Sequence, residues 1–315
     1  MRAVVPEHEA LALLGALPDD VDVDVWDGRG SPPSGAEPVS LWVPSWWHAD
    51  EAFADALGKL PGLRVVQLLT AGHDHVSPYV PADVVLCNAR GVHDATVAEW
   101  ALTAILGVLR GLPDYVRRQD RGEVERFETD TLAGKTVLLL GYGSIAKALE
   151  ALLAPFDVEL VRVARRRRAG VHGVSDLPGL LPRAHVVVVL VALDASTARM
   201  VDRRFLAALP DQALVVNGAR GGVVDQDALA AELGAGRLRA AIDVADPDPL
   251  PAGHPLLSER RLLYTPHVAG VTRRTLPNAY RFVGDQIRRL AAGEPLQGRL
   301  EAPGSETLPT GSDSA

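Results

Sequence analysis

Short apolar runs alternate with segments whose apolar positions recur every three to four residues, and this rhythm covers most of the chain. Apolar runs predict strands at 2–5, 21–26, 39–43, 63–69 and 84–87, with helical periodicity between them at 8–16 and 51–59. That alternation is the pattern of a small doubly wound α/β unit. A longer helix is predicted over 96–110, with Val97, Trp100, Ala101, Ala104, Ile105 and Val108 on one stripe and Gly111-Leu112-Pro113 at its end. A second α/β series follows, with strands at 137–140, 158–163, 185–191, 213–217, 240–244 and 262–265. Unbroken runs such as Val186-Val187-Val188-Val189-Leu190 predict strands buried on both faces of a parallel sheet. A last helix over 275–292 returns toward the first unit. The pattern therefore predicts two domains: 1–94 with 275–300, and 95–274 with its leading helix. Residues 301–315, rich in Pro, Gly, Ser and Thr, carry no pattern and are expected to be disordered.

Composition narrows the classes of function. The chain has 315 residues, of which 47% are hydrophobic and 23% charged, enough to fill real cores. A net charge of −8 argues against nucleic acid or a membrane surface as partner. The longest apolar stretch, 186–193, is too short to span a bilayer. A single cysteine, Cys87, rules out an intramolecular disulfide, fits the reducing cytoplasm and lies in an apolar run as a core residue.

Gly141-Tyr142-Gly143-Ser144-Ile145-Ala146 carries the clearest chemistry. A strand-type run, Thr136 to Leu140, precedes it and a helix-type run from Lys147 follows. Strand, glycine turn and helix in this order form a dinucleotide phosphate site. Gly141 permits the tight turn, Gly143 lets the backbone approach a pyrophosphate, and the helix start at Ser144 and Ile145 offers free N–H groups.

The next strand ends at Ala164, and Arg165-Arg166-Arg167-Arg168 follows. An acidic residue near this position, about 20 residues past the glycine turn, would bind the ribose hydroxyls of NAD. Guanidinium groups match a 2′-phosphate instead, so the run predicts preference for NADP(H) over NAD(H), through Arg165 and Arg166. The competing reading is a solvated basic turn.

Three later strand ends carry polar residues: Asn217-Gly218-Ala219-Arg220-Gly221, then Asp243-Val244 continuing to Pro247-Asp248-Pro249-Leu250, then Pro266-His267. Side chains just past the C-terminal ends of parallel strands line the ligand crevice. His can give or take a proton near neutrality, a carboxylate can orient its imidazole, and Arg offers bidentate recognition of a carboxylate ligand.

Together with Thr70-Ala71-Gly72, Val97-Ala98-Glu99 and Leu132-Ala133-Gly134-Lys135-Thr136-Val137, these segments make the chain resemble the D-isomer-specific 2-hydroxyacid dehydrogenases over nearly its whole length. The resemblance implies a Rossmann dinucleotide-binding domain inserted into a smaller flavodoxin-like α/β substrate domain. It implies that Arg220 binds the substrate, that His267 is the acid/base with Asp248 as its partner, and that Asp243 contacts the nicotinamide amide. It further implies that Ala192, Thr197 and Ala219 border the cofactor, and that N–H groups near Ala71 and Gly72 hold the substrate carboxylate. The activity it implies is reversible reduction of a small 2-keto acid to the D-2-hydroxy acid, with glyoxylate or hydroxypyruvate favoured, in a homodimer. The alternatives are an NAD-dependent phosphoglycerate dehydrogenase-like enzyme and a corepressor-like protein that senses NAD(P) without catalysis.

Two departures from the family pattern stand out. Asp248 occupies a position usually held by Glu, one methylene longer. The loop Ala192-Leu193-Asp194-Ala195-Ser196-Thr197 lacks both prolines of the usual Pro-Leu-Thr-Pro-x-Thr. His73-Asp74-His75 hints at a metal, but further ligands are missing and no metal is expected. Trp46 and Trp47 are candidates for either a substrate pocket wall or packing, while Trp100, on the apolar stripe, is expected to pack.

Overall fold

The computed structural model describes residues 1–35, 37–46 and 51–300. The chain divides into two compact units, Met1–Val92 with Arg273–Ala315, and His93–Thr272, the second inserted into the first. The expected tail 301–315 and Trp47 lie outside the described residues.

The first unit holds strands β1 (Arg2–Val5), β2 (Asp22–Val25), β3 (Val39–Trp42), β4 (Val65–Gln67) and β5 (Val85–Cys87), with helices α1 (His8–Leu13) and α2 (Glu51–Gly58). All pairings are parallel, in the order β2-β1-β3-β4-β5, the flavodoxin-like order. Cys87 is buried in this core, as its apolar run predicts.

The inserted unit opens with α3 (Asp94–Leu109) and α4 (Leu112–Asp120). The sequence marks only a helix end at Gly111-Leu112-Pro113. Gly111 sits at φ 62° between the two helices, and Pro113 falls in the first turn of α4. Proline is as suited to starting a helix as to ending one, so the same three residues do both. The sheet comprises β6 (Lys135–Leu140), β7 (Val158–Ala164), β8 (His172–Gly173), β9 (Val186–Val189), β10 (Leu214–Asn217), β11 (Arg239–Ile242) and β12 (Leu262–Tyr264). Helices α5 (Ser144–Leu153), α6 (Leu177–Leu180), α7 (Arg203–Ala207) and α8 (Gln226–Gly234) connect them. The strands run parallel in the order β12-β11-β10-β9-β6-β7-β8, which is the Rossmann order with one strand added at the β12 edge.

Both faces of this sheet are covered, and successive residues divide between them. Val137, Leu139, Val186 and Val188 pack with Ala101, Ile105 and Leu149 of α3 and α5. Leu138, Leu140, Val187 and Val189 pack with Phe205 and Leu229 on the other side. The order reverses between β6 and β9, and such a switch point is where open α/β sheets take ligands.

Helix α9 (Thr275–Ala291) returns to the first unit. Its Ala279, Tyr280, Val283 and Ile287 pack on Ala3, Val5 and Leu14, and its buried Gln286 donates to Gln67 at 2.7 Å. Among the described residues no single helix is long and apolar enough to cross a membrane.

Candidate active site

The glycine turn leaves β6 at the switch point. Gly141 has φ +99°, and a Cβ there would lie 2.7 Å from the backbone of Leu190 and Val191 at the end of β9. Only glycine fits that close approach. A Cβ on Gly143 would instead meet nothing within 4 Å. Gly143 is the N-cap of the ten-residue α5, and no side chain caps that end. The N–H groups at Ser144 and Ile145 therefore sit at an uncapped helix start beside open space. This is the arrangement a pyrophosphate needs, and the residues present fit a dinucleotide.

The arginine run splits among several partners. Arg165 Nη2 lies 2.5 Å from Asp194 Oδ2. Arg167 pairs with Asp176, and Arg168 Nη2 donates to the carbonyl of Tyr142 inside the glycine turn at 3.1 Å. Arg166 is exposed. The structure thus places Arg168 against the glycine turn, a contact the sequence run does not single out. The Tyr142 ring has the guanidinium of Arg162 5.8 Å and that of Arg168 5.7 Å from its centroid.

The loop after β9 is closed on itself. Buried Thr197 donates to the carbonyl of Ala192 at 2.6 Å and accepts the N–H of Asp194 at 2.8 Å. Its hydroxyl shapes the loop.

After β10, the buried Asn217 donates to the carbonyl of Arg220 at 3.0 Å and accepts the N–H of Ala219 at 3.0 Å. This turn presents Arg220, whose Nη1 also donates to the carbonyl of Ala219. A Cβ on Gly221 would fall 1.9 Å from the carbonyl oxygen of Ala245, so the loops after β10 and β11 meet backbone to backbone.

Asp243 directly follows β11 and is only 2% exposed. Its Oδ1 accepts the Thr265 hydroxyl at 2.6 Å and the N–H of Val268 at 2.9 Å, and its Oδ2 accepts the N–H of Ala269 at 2.8 Å. Trp100 Nε1 in turn donates to Thr265 Oγ1 at 3.1 Å. Trp100 thus joins a polar chain as well as packing, a role its place on an apolar stripe hides.

His267 adopts φ 57°, a left-handed conformation uncommon for a non-glycine residue. The turn is held by His267 N–H bonds to the carbonyls of Asp243 at 2.6 Å and Thr265 at 3.0 Å. Its Nδ1 lies 2.7 Å from Asp248 Oδ2. A carboxylate only accepts, so Nδ1 carries the proton in this pair and Nε2 is left to exchange one. The shorter Asp248 does reach, because its loop is pinned on both sides. Gln226 exchanges two hydrogen bonds with the main chain of Asp246, at 3.0 and 3.1 Å, and Tyr264 Oη accepts the N–H of Leu250 at 3.0 Å. Asp246, the neighbouring carboxylate, lies under the Gln226 clasp.

In the first unit, Thr70 Oγ1 donates to the carbonyl of Gly72 and Asn88 Nδ2 to the carbonyl of Ala71, each at 2.8 Å, shaping the turn whose N–H groups were expected to meet substrate. Trp46 packs against the core around β1 and α9. His73 Nδ1 lies 2.7 Å from Ser77 Oγ, and no group of three potential ligands for a metal occurs among the described residues.

The sequence profile of the D-isomer specific 2-hydroxyacid dehydrogenase, NAD binding domain, matches residues 102–269. Human glyoxylate reductase/hydroxypyruvate reductase is 26% identical over 94% of this chain and 95% of its own length. D-3-phosphoglycerate dehydrogenase of Methanocaldococcus jannaschii is 29% identical over 79% of this chain, which spans about half (49%) of that longer protein. The crystal structure of a D-isomer specific 2-hydroxyacid dehydrogenase from Xanthobacter autotrophicus Py2, in complex with NADPH and MES, superposes with a TM-score of 0.82. It is 29% identical, covering 96% of this chain and 98% of that one. The profile takes in more than half of the 315 residues, and the chain belongs to the D-isomer-specific 2-hydroxyacid dehydrogenases, NAD(P)-dependent oxidoreductases acting on CH–OH donors.

Proposed function

We propose that the protein is an NADPH-dependent reductase of small 2-keto acids, forming D-2-hydroxy acids, with glyoxylate or hydroxypyruvate as the favoured substrate. The observation that carries the reading is the 2.7 Å pair between His267 and Asp248, on the same edge of the sheet as the open glycine turn. The cofactor, when bound, supplies the hydride. His267 Nε2 gives the proton to the keto oxygen, and Asp248 keeps the imidazole in the required tautomer and steadies its charged form. Arg220 takes the substrate carboxylate and offsets negative charge developing on the oxygen.

NADP(H) is favoured over NAD(H) because no acidic residue follows β7, while Arg165, Arg166 and Arg168 do. The NADPH-bound relative from Xanthobacter is consistent with that choice. Glyoxylate or hydroxypyruvate is favoured because the human glyoxylate/hydroxypyruvate reductase aligns along nearly its entire length. Asp243 is further proposed to border the nicotinamide, and Ala219 and Ala192 to line the nucleotide through their backbones. A homodimer is also proposed. Leu112 and Val116 of α4 and the following Val124 are 55%, 57% and 95% exposed, apolar side chains set among charged ones that a second copy would cover. The cytoplasm is the proposed compartment, in keeping with the single unbridged Cys87.

The test is oxidation of NADPH and of NADH, followed by absorbance, with glyoxylate, hydroxypyruvate, 3-phosphohydroxypyruvate and pyruvate. The proposal expects turnover of the first two with NADPH. Turnover of the phosphorylated acid with NADH would favour the phosphoglycerate dehydrogenase reading. Tight nucleotide binding without turnover of any keto acid would leave a sensor. Sedimentation of the purified chain reads the dimer.

A further inference from the structure

Asp194 stands where the resemblance expects threonine, and its two oxygens face different tasks. Oδ1 accepts the N–H of Ser196 at 2.8 Å and its hydroxyl at 2.6 Å, fixing the turn after β9. Oδ2 is thereby left facing outward, 2.5 Å from Arg165 Nη2. The hydrogen bonds from Ser196 hold the Asp194 carboxyl below the usual range, with Arg165 adding to the effect, so it stays charged near neutrality. The side chains of Arg165 and Asp194 are 72% and 40% exposed, so a ligand reaches this pair without disturbing the core.

We propose that Asp194 is a cofactor-specificity residue: its carboxylate holds Arg165 and competes with the 2′-phosphate of NADP(H) for that guanidinium. The inference rests on the reading of Arg165 as a 2′-phosphate ligand. An Arg fork that turns both terminal nitrogens to a doubly charged phosphate gives up its Nη2 bond to the carboxylate, which then stands as a like charge beside the phosphate. Both effects weaken NADP(H) and leave NAD(H), which carries no charge at that position, nearly untouched. The chain thus keeps its arginines for the phosphorylated cofactor while narrowing the margin between the two nucleotides.

The experiment titrates the wild-type chain, Asp194→Asn and Asp194→Thr with NADPH and with NADH, following cofactor fluorescence to obtain each Kd. Asn retains the oxygen that caps Ser196, and Thr offers a hydroxyl in its place, so at least one folded variant is available, checked by its melting temperature. The expected result is NADPH binding about fivefold tighter in the variants, with NADH changed less than about twofold, the scale of an exposed, solvent-screened charge pair. In an Arg165→Ala background the gain from Asp194→Asn should shrink. An unchanged Kd ratio, or weaker NADPH binding, overturns the proposal. A wild-type chain that prefers NADH would overturn the NADPH reading alone, since the shift in ratio between wild type and variant is read independently of its starting value.

Discussion

The main-chain carbonyl of Asp243 accepts the N–H of His267 at 2.6 Å, and the side chain of the same aspartate takes the next two N–H groups, from Val268 and Ala269. One buried residue directly after β11 therefore fastens the turn that displays the imidazole. Asp243→Ala would leave two backbone donors and the Thr265 hydroxyl without their acceptor. Unpaired buried polar groups cost about 1–3 kcal/mol each before relaxation. The expected outcome is a loss of about 3 kcal/mol in urea unfolding. It should be accompanied by a fall in kcat/KM of about 100-fold, as His267 drifts by an ångström. An unfolding midpoint equal to the wild type would refute the clamp.

Asp248 and His267 make a second test, because the loop carrying the carboxylate is already pinned by Gln226 and Tyr264 at the distance that works. Asp248→Asn presents an amide that tolerates the wrong tautomer, and kcat should fall about 1,000-fold or more with KM little changed. Asp248→Glu restores the residue usual in the family, yet here the extra methylene has to be folded away from a contact of 2.7 Å. We expect kcat/KM to drop about tenfold rather than rise. A glutamate variant at least as fast as wild type would show that the loop adapts freely.

These two residues mark the division between what the sequence discloses and what it hides. The glycine turn was legible because three constraints coincide within a few residues: an apolar strand, a turn only glycine can make, and a helix start. The centre of the inserted sheet was legible because burial on both faces writes an unbroken apolar run such as Val186–Val189. Residues that act through a neighbour left no such trace. Gln226 looks like any exposed polar residue at the start of a helix, and Trp100 like any aromatic on an apolar stripe, until the fold brings Asp246 and Thr265 to them. The two-residue edge strand β8 is too short to carry a period. The reach of Asp248 could not be read from side-chain length, because it is set by hydrogen bonds between the main chain of Asp246 and Leu250 and the side chains of Gln226 and Tyr264.

Cys87 gives a pH prediction that does not depend on the reaction. Burial pushes its thiol up from 9.0 to about 11, against a smaller opposing effect of the Arg299 charge. A folded-state pKa above the unfolded value means that the unfolded chain loses the proton first. The stabilisation is complete below about pH 9 and disappears as pH rises toward 11. Its size is about 2–3 kcal/mol, two pK steps. Urea unfolding at pH 8 and pH 10.5 should show a smaller fall in stability for Cys87→Ala than for wild type, since alanine removes this contribution. The native thiol should also resist a disulfide reagent at pH 8 until denaturant is added. Identical pH slopes in the two proteins would remove the argument.

Gly143 and Gly221 separate the requirements of the cofactor from those of the fold. A Cβ at Gly221 would lie 1.9 Å from the Ala245 carbonyl oxygen, a main-chain atom that cannot swing aside. Gly221→Ala should therefore cost more than about 4 kcal/mol or yield insoluble protein. At Gly143 the backbone is extended, with φ −95° and ψ −159°, and the added carbon would meet nothing within 4 Å. Gly143→Ala should fold with a melting temperature within about 2 °C of wild type in the absence of nucleotide, the range of a neutral surface change. The same methyl group occupies the space a pyrophosphate needs beside the first turn of α5, where charge-assisted hydrogen bonds contribute about 1.5–3 kcal/mol each. NADPH binding should accordingly weaken about 10- to 100-fold, read by cofactor fluorescence, and NADH should weaken in the same proportion because both nucleotides share the pyrophosphate. That equal loss distinguishes Gly143 from Arg165, where only the phosphorylated cofactor should suffer. A Gly143→Ala chain that binds both nucleotides as tightly as wild type would mean that the open space beside this turn belongs to some other ligand.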